Sequence, residues 1–121
     1  MIMSNNDLKI RTKQFALRII KIVRFIAKDP VGRVLGNQLL RSGTSVAANY
    51  RAACRCKSRA DFINKIGTVV EEADETQFWL ELLIDAEIVE ENLLISVLKE
   101  STEITAIMTS SRNSAIAHRH K

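Results

Sequence analysis

Arg51, Arg55, Lys57 and Arg59 place four cations within nine residues, the densest positive cluster in the chain. Lys and Arg bind nucleic acid chiefly by neutralising phosphates, so a cluster of this density is a candidate backbone contact. Cations near a helix C-terminus also relieve the partial negative charge of its unpaired carbonyls, which accounts for part of the cluster but not for four members. Arg18, Lys21, Arg24 and Lys28 form a second series along a stretch of helical periodicity. Tyr50 is the one aromatic beside the denser cluster, and no stacking motif of the sequence-reading RNA modules accompanies it. Binding through these residues, to RNA or to DNA, is expected to follow backbone or shape.

The remaining reactive side chains do not converge. Cys54 and Cys56 stand one residue apart, unlike the two-residue gap of redox pairs, and no second pair completes a tetrahedral zinc site. His118 and His120 lie at the end of the chain, away from partner ligands. Glu71, Glu72, Asp74, Glu75 and Glu81 concentrate carboxylates in one segment. Carboxylate-bridged metal bundles need Glu-x-x-His pairs facing inward, however, and neither His falls on an expected helix. Phosphate-cradling loops, dinucleotide glycine patterns and nucleophile elbows are absent, and Gly32 and Gly36 sit inside a helical pattern. The expectation is a protein without catalytic activity, metal or cofactor.

Helices must position the cations. Gly and Pro contribute five of 121 residues and aromatics 5%, a composition that favours helix over turn-rich sheet. Leu8, Phe15, Ile19, Ile22 and Ile26 keep one side of a first helix apolar. Lys13, Arg18, Lys21, Arg24 and Lys28 occupy its other side, and Ser4 or Asn6 can cap its start. Asp29-Pro30 is a start signal for a second helix, since Asp accepts from free amides and Pro forfeits a donor with no partner. The seam of that helix is Leu35, Leu39, Ser42, Val46, Asn49 and Ala53, with Ala47, Ala48 and Ala52 beside it to admit a close neighbour. Ser42 and Asn49 are polar, which weakens packing but fixes register; for Asn49, direct ligand contact is the alternative role.

Ser58 to Asp61 reads as a capping box opening a third helix with its seam at Phe62, Ile66, Val69, Ala73, Thr76, Leu80 and Leu83. Leu94, Val97, Ser101, Ile104 and Met108 give a fourth stripe. The predicted helices span about 7–27, 30–55, 59–85 and 90–110, with residues 112–121 as a frayed or disordered tail. Long helices with short connections must fold back on one another, so the expected fold is a single all-α domain, an antiparallel up-down-up-down four-helix bundle.

Residues 1–59 hold 13 Lys and Arg against two acids, a net of +11, while residues 60–121 carry a net of −7. This asymmetry suits an anionic partner or pairing between basic and acidic faces of neighbouring subunits. Phe78 and Leu82 project from the far side of the third helix with Trp79 beside them, and are expected to face water as an apolar patch for self-association. The competing explanation is burial of the helix on more than one side by its own bundle. No run of apolar residues is long enough for a membrane span, the first seven residues are too polar for a signal-peptide core, and the expected location is the cytoplasm.

The stretches Gln38 to Arg51, Ser58 to Phe62 and Glu71 to Glu81 together resemble the four-helix-bundle proteins encoded in intervening sequences of bacterial 23S ribosomal RNA. The resemblance covers roughly residues 8–110 and rests on a seam Ser and Asn, a Ser-capped Asp-Phe helix start, and Glu-rich residues leading into Trp-Leu. It implies a cytoplasmic bacterial bundle that assembles as a homopentamer with no established catalytic activity. More distantly, the chain is similar to the accessory subunit of diversity-generating retroelements, which implies nucleic acid and a reverse transcriptase as candidate partners. Ser42, Asn49, Asp61, Glu72 and Trp79 match motif positions, with structural roles implied. Two functions follow as expectations: phosphate binding by the basic surface, or a protein-interaction scaffold in which the same cations pair subunits or an acidic partner.

Overall fold

Each of the first three helices begins where the sequence supplies an acceptor for its free amides. At the start of α1 (Asn5–Ile26), the Asp7 amide donates to the Ser4 hydroxyl at 3.1 Å and the Ser4 amide returns a bond to the Asp7 carboxylate at 3.3 Å, closing a capping box. At α2 (Pro30–Ala53), the Gly32 amide donates to Asp29 at 2.8 Å and Pro30 takes the first helical position. At α3 (Arg59–Asp85), the Asp61 amide donates to Ser58 at 3.1 Å. The reciprocal bond from Ser58 to the Asp61 carboxylate is not formed, so the complete box lies at α1 and only half of one at α3. The computed structural model describes residues 4–118.

The fourth helix, α4 (Glu91–Ala117), extends well past the end expected from its apolar stripe. The polar run after Ser110 hides this continuation, because it carries little periodicity while containing nothing that stops a helix. His118 caps the helix, and His120 lies outside the described residues. Consecutive helices pack along their lengths, while α1 and α4 close the ring over a shorter contact. The result is an antiparallel, up-down-up-down four-helix bundle.

The seams meet in one core. Phe15, Ile19, Leu39, Val46, Ile66, Val69, Ala73, Leu80, Leu83, Leu94, Ile104 and Met108 are buried in it. Ile22, Leu35 and Phe62 pack at its margin. Polar residues share the core: Thr12, Ser42, Thr76 and Ser101, one from each helix, are fully buried. The Thr76 hydroxyl lies 2.9 Å from that of Ser42, and Ser101 donates to the Ala73 carbonyl at 3.1 Å. Thr12 donates within its own helix to the Leu8 carbonyl at 2.8 Å. Asn49 is half-buried and donates to the Ser45 carbonyl at 2.9 Å, one turn back on α2, so it bonds along the helix rather than across the seam.

Close approach of α1 and α2 is set by a glycine, not by the alanines. A Cβ on Gly43 would lie 2.8 Å from Ile19 Cγ2, inside van der Waals contact. Ala48 is exposed and Ala47 and Ala52 are half-buried.

The turn from α3 to α4 stops the helix by a Schellman arrangement. The Ile88 amide donates to the Leu83 carbonyl at 3.0 Å and the Glu87 amide to Ile84 at 2.9 Å. Glu87 takes the left-handed position with φ 59°, where glycine is the residue with no steric cost.

Candidate nucleic-acid interface

The antiparallel course of α1 and α2 divides the predicted cations into two groups. Tyr50 near the end of α2 donates its hydroxyl to Asn5 at the start of α1 at 3.3 Å, while Gly32 sits against the Ile26 carbonyl at the opposite pole. Arg51, Arg55, Lys57 and Arg59 therefore belong to the pole where α1 begins, and Lys28 to the other. At 1.5 Å per residue α1 is about 33 Å long, so the eight do not form one patch. Arg18, Lys21 and Arg24 line the outer side of α1 with Lys28 in the turn after it, and the other four run from the end of α2 to the first residue of α3.

All eight are exposed, and among the described residues none of them makes an ion pair with a carboxylate. Arg18 donates to the Ser96 hydroxyl at 2.8 Å, and Arg59 donates to the His118 carbonyl. Two other cations of the basic half are matched inside the chain. Arg11 binds Glu100 through Nε at 2.8 Å and Nη2 at 2.6 Å, and reaches Glu103 at 2.5 Å, joining α1 to α4. Arg41 of α2 reaches Glu72 at 3.2 Å and also bonds Glu75, joining α2 to α3. The Arg41 guanidinium holds the Glu75 carboxyl below the usual carboxylate range, and Arg11 does the same to Glu100. Part of the charge asymmetry is thus satisfied between helices of one molecule, a use the sequence reading did not separate from partner binding.

The expected apolar patch on α3 is smaller than its pattern suggests. Phe78 is 52% exposed, but Trp79 and Leu82 are half-buried, and Trp79 packs against the core. The indole N–H of Trp79 donates to Glu75 at 3.2 Å, and its ring meets Phe78 edge-on with centroids 5.0 Å apart. Helical spacing gives the direction of these side chains but not the width that a large indole covers toward a neighbouring helix. A larger apolar exposure lies elsewhere: Leu17 and Phe25 on α1, and Val31 and Val34 on α2, are each more than half exposed among the α1 cations.

At the cationic pole an open cleft runs between the α2–α3 turn and the last turns of α4. It exists because α4, at about 40 Å, outruns α1 by several residues. Lys57 and Arg59 stand on one side and Ser110, Ser111 and Ser114 on the other. Leu8, Tyr50, Phe62 and Ile107 form an apolar floor. Phe62 is an aromatic brought to the cations that the sequence reading assigned to the core; its neighbour Ile63 takes the buried position in the first turn of α3, leaving Phe62 half-buried at the cleft. Burial pushes the Tyr50 hydroxyl upward from its ordinary pKa, and the Cys54 thiol beside it adds to the shift. Cys54 and Cys56 are free and half-buried at the cleft wall. Among the described residues no three His, Cys, Asp or Glu side chains gather as a metal-binding group, and no helix is long and apolar enough to cross a membrane.

Comparison with known proteins places this geometry. No curated protein matches the chain. A crystal structure of a protein of unknown function from the S23 ribosomal protein family of Bacteroides thetaiotaomicron is 40% identical in sequence, with a TM-score of 0.86, and covers 92% of this chain and 99% of its own. The family model described as 23S rRNA-intervening sequence protein matches residues 5–110, nearly the whole bundle. On that match and that structural likeness, the chain belongs to the 23S rRNA-intervening sequence protein family.

Proposed function

We infer that the protein is a non-catalytic, self-associating bundle of the cytoplasm that binds nucleic acid through phosphate contacts at its cationic pole. One observation carries this reading. Arg11 and Arg41 each hold carboxylates of the same chain, whereas Arg51 at the end of α2 and Arg55 and Lys57 in the turn after it are exposed, with no carboxylate partner among the described residues. Like charges held this close repel one another, a cost that an anionic partner removes. The cations of α1 supply a second contact line toward the other pole. The family's description speaks of 23S rRNA, which makes RNA the first ligand to test. Binding should fall steeply with salt, because each neutralised phosphate releases counterions. Absence of RNA and DNA binding at low salt would remove the reading.

A second reading is favoured by the exposed apolar residues. Phe78 stands among Glu71, Asp74 and Glu81, which have no cation partner among the described residues. Leu17, Phe25, Val31 and Val34 stand among Lys21, Arg24 and Lys28. The acidic face of one copy complements the basic hairpin of the next, a head-to-tail contact that closes into a ring if the rotation allows. In that arrangement the α1 cations serve subunit pairing, and those of the α2–α3 turn remain for phosphates or for an acidic protein partner.

A further inference from the structure

Three features of the cationic pole coincide in one place. The cleft there spans about 1480 Å³, larger than the roughly 300–1,000 Å³ of pockets that bury a small ligand, and it is open, as a site for part of a polymer must be. Its rim carries the Lys57 ammonium and the Arg59 guanidinium, and facing Lys57 the exposed hydroxyls of Ser110 and Ser114, one turn apart on α4. Arg59 also donates to the His118 carbonyl at the end of α4 and keeps its charge unpaired by any carboxylate among the described residues. No carboxylate is among the described residues that line it. Arg11 also borders the cleft, but Glu100 and Glu103 already hold it, so the positive character comes from Lys57 and Arg59. Below the rim, the half-buried Phe62 and Ile107 offer an apolar surface, with the nearly buried Leu8 and Tyr50 beneath them.

We propose that this cleft receives an unpaired nucleotide of a single strand, its base against Phe62 and Ile107 and its flanking phosphate on Lys57 and Arg59. The inference rests on the nucleic-acid reading above and sharpens it from phosphate binding to recognition of single strands. Single-strand sites combine a cationic groove with an aromatic on which a base can lie, a contact available to every base because each has a flat face. A duplex keeps its bases stacked inside and presents phosphates alone, so it can use the exposed cations but not the floor. The serine hydroxyls, able to donate or accept, suit the sugar and base edges without selecting a sequence.

The test uses the full chain and three fluorescein-labelled RNAs: a mixed-sequence single strand, its duplex, and an abasic strand with the same phosphates. The single strand is expected to bind about tenfold more tightly than either of the others, a stacking contribution of ordinary size. Ser110→Glu with Ser114→Glu, both at exposed helix positions, sets carboxylates into the bank opposite Lys57 and Arg59 and should erase the preference for the single strand over the abasic strand, whose phosphates are the same. Bound single strand should also slow alkylation of Cys54 and Cys56 at the cleft wall, an effect read on the unaltered protein. Equal binding of all three RNAs overturns the proposal and leaves the phosphate reading standing, as does a preference that survives the double substitution. Displacement of the strand by polyglutamate as readily as by unlabelled strand also overturns it, marking a site for acidic protein instead. Failure of every RNA to bind at low salt overturns the proposal, and failure of DNA as well removes the phosphate reading with it.

Discussion

Thr76 and Ser42 face each other across the α2–α3 seam with their hydroxyl oxygens 2.9 Å apart, both fully buried. Thr76 also reaches the Glu72 carbonyl at 2.7 Å, and Ser42 the Leu39 carbonyl at 3.3 Å, so each hydroxyl has a fallback within its own helix. Replacing one partner should cost about 1 kcal/mol, while replacing both by apolar groups of similar shape costs less than the sum. Ser42→Ala, Thr76→Val and the double variant, compared by urea denaturation, should give a coupling of at least about 0.5 kcal/mol. Strict additivity would show that the two hydroxyls do not interact.

The Arg11–Glu100 pair predicts an acid-sensitive α1–α4 seam. Arg11 holds the Glu100 carboxyl below the ordinary carboxylate range, so Glu100 binds its proton more weakly in the folded chain than in the unfolded one. Its contribution is present above the unfolded value of about 4.3 and is lost as pH falls through the lower folded value. Glu100→Gln should therefore lower Tm at neutral pH, and the difference from the unaltered protein should shrink toward zero in acid. A Tm difference that stays constant down to pH 3 would contradict this.

Glu87 sits at φ 59°, where a side chain with a Cβ crowds its own carbonyl. Glu87→Gly should stabilise the protein by about 1 kcal/mol, since the turn's hydrogen bonds use only backbone groups. Chemical denaturation measures this directly, and a loss of stability would mean that the carboxylate does more than occupy the turn.

Phe78→Glu adds charge to an already acidic face without touching the core, because the ring is half exposed and its neighbour Trp79 keeps its own packing. Light scattering should show a fall in mass to that of one chain, with the helical circular dichroism unchanged. An unaltered oligomer would take Phe78 out of the subunit contact.

The seams of α2, α3 and α4 were legible because apolar side chains recur at helical steps with few exceptions, and caps at Ser4, Asp29 and Ser58 mark the starts. The buried Thr12 was not, since a threonine within a cationic helix looks like surface until its hydroxyl is seen bonded to Leu8. Gly43 was missed for the same kind of reason: a close approach depends on what faces it, here Ile19. The candidate site was legible as charge but not as shape. Sequence lists Arg11 and Arg41 with the other cations, and only their placement opposite Glu100 and Glu72 removes them from those left for a partner. The cleft depends on α4 outrunning α1, a length that the unpatterned run after Ser110 conceals.

Phosphate binding at the cationic pole is tested most directly by fluorescence anisotropy of a labelled RNA across a salt series, for the unaltered protein and for Arg55→Ala with Lys57→Ala. The account predicts that log affinity falls linearly with log salt, and that the double variant binds about tenfold more weakly with a shallower slope while its oligomer mass is unchanged. Undiminished affinity in the double variant, or no RNA and no DNA binding by the unaltered protein at low salt, would contradict it.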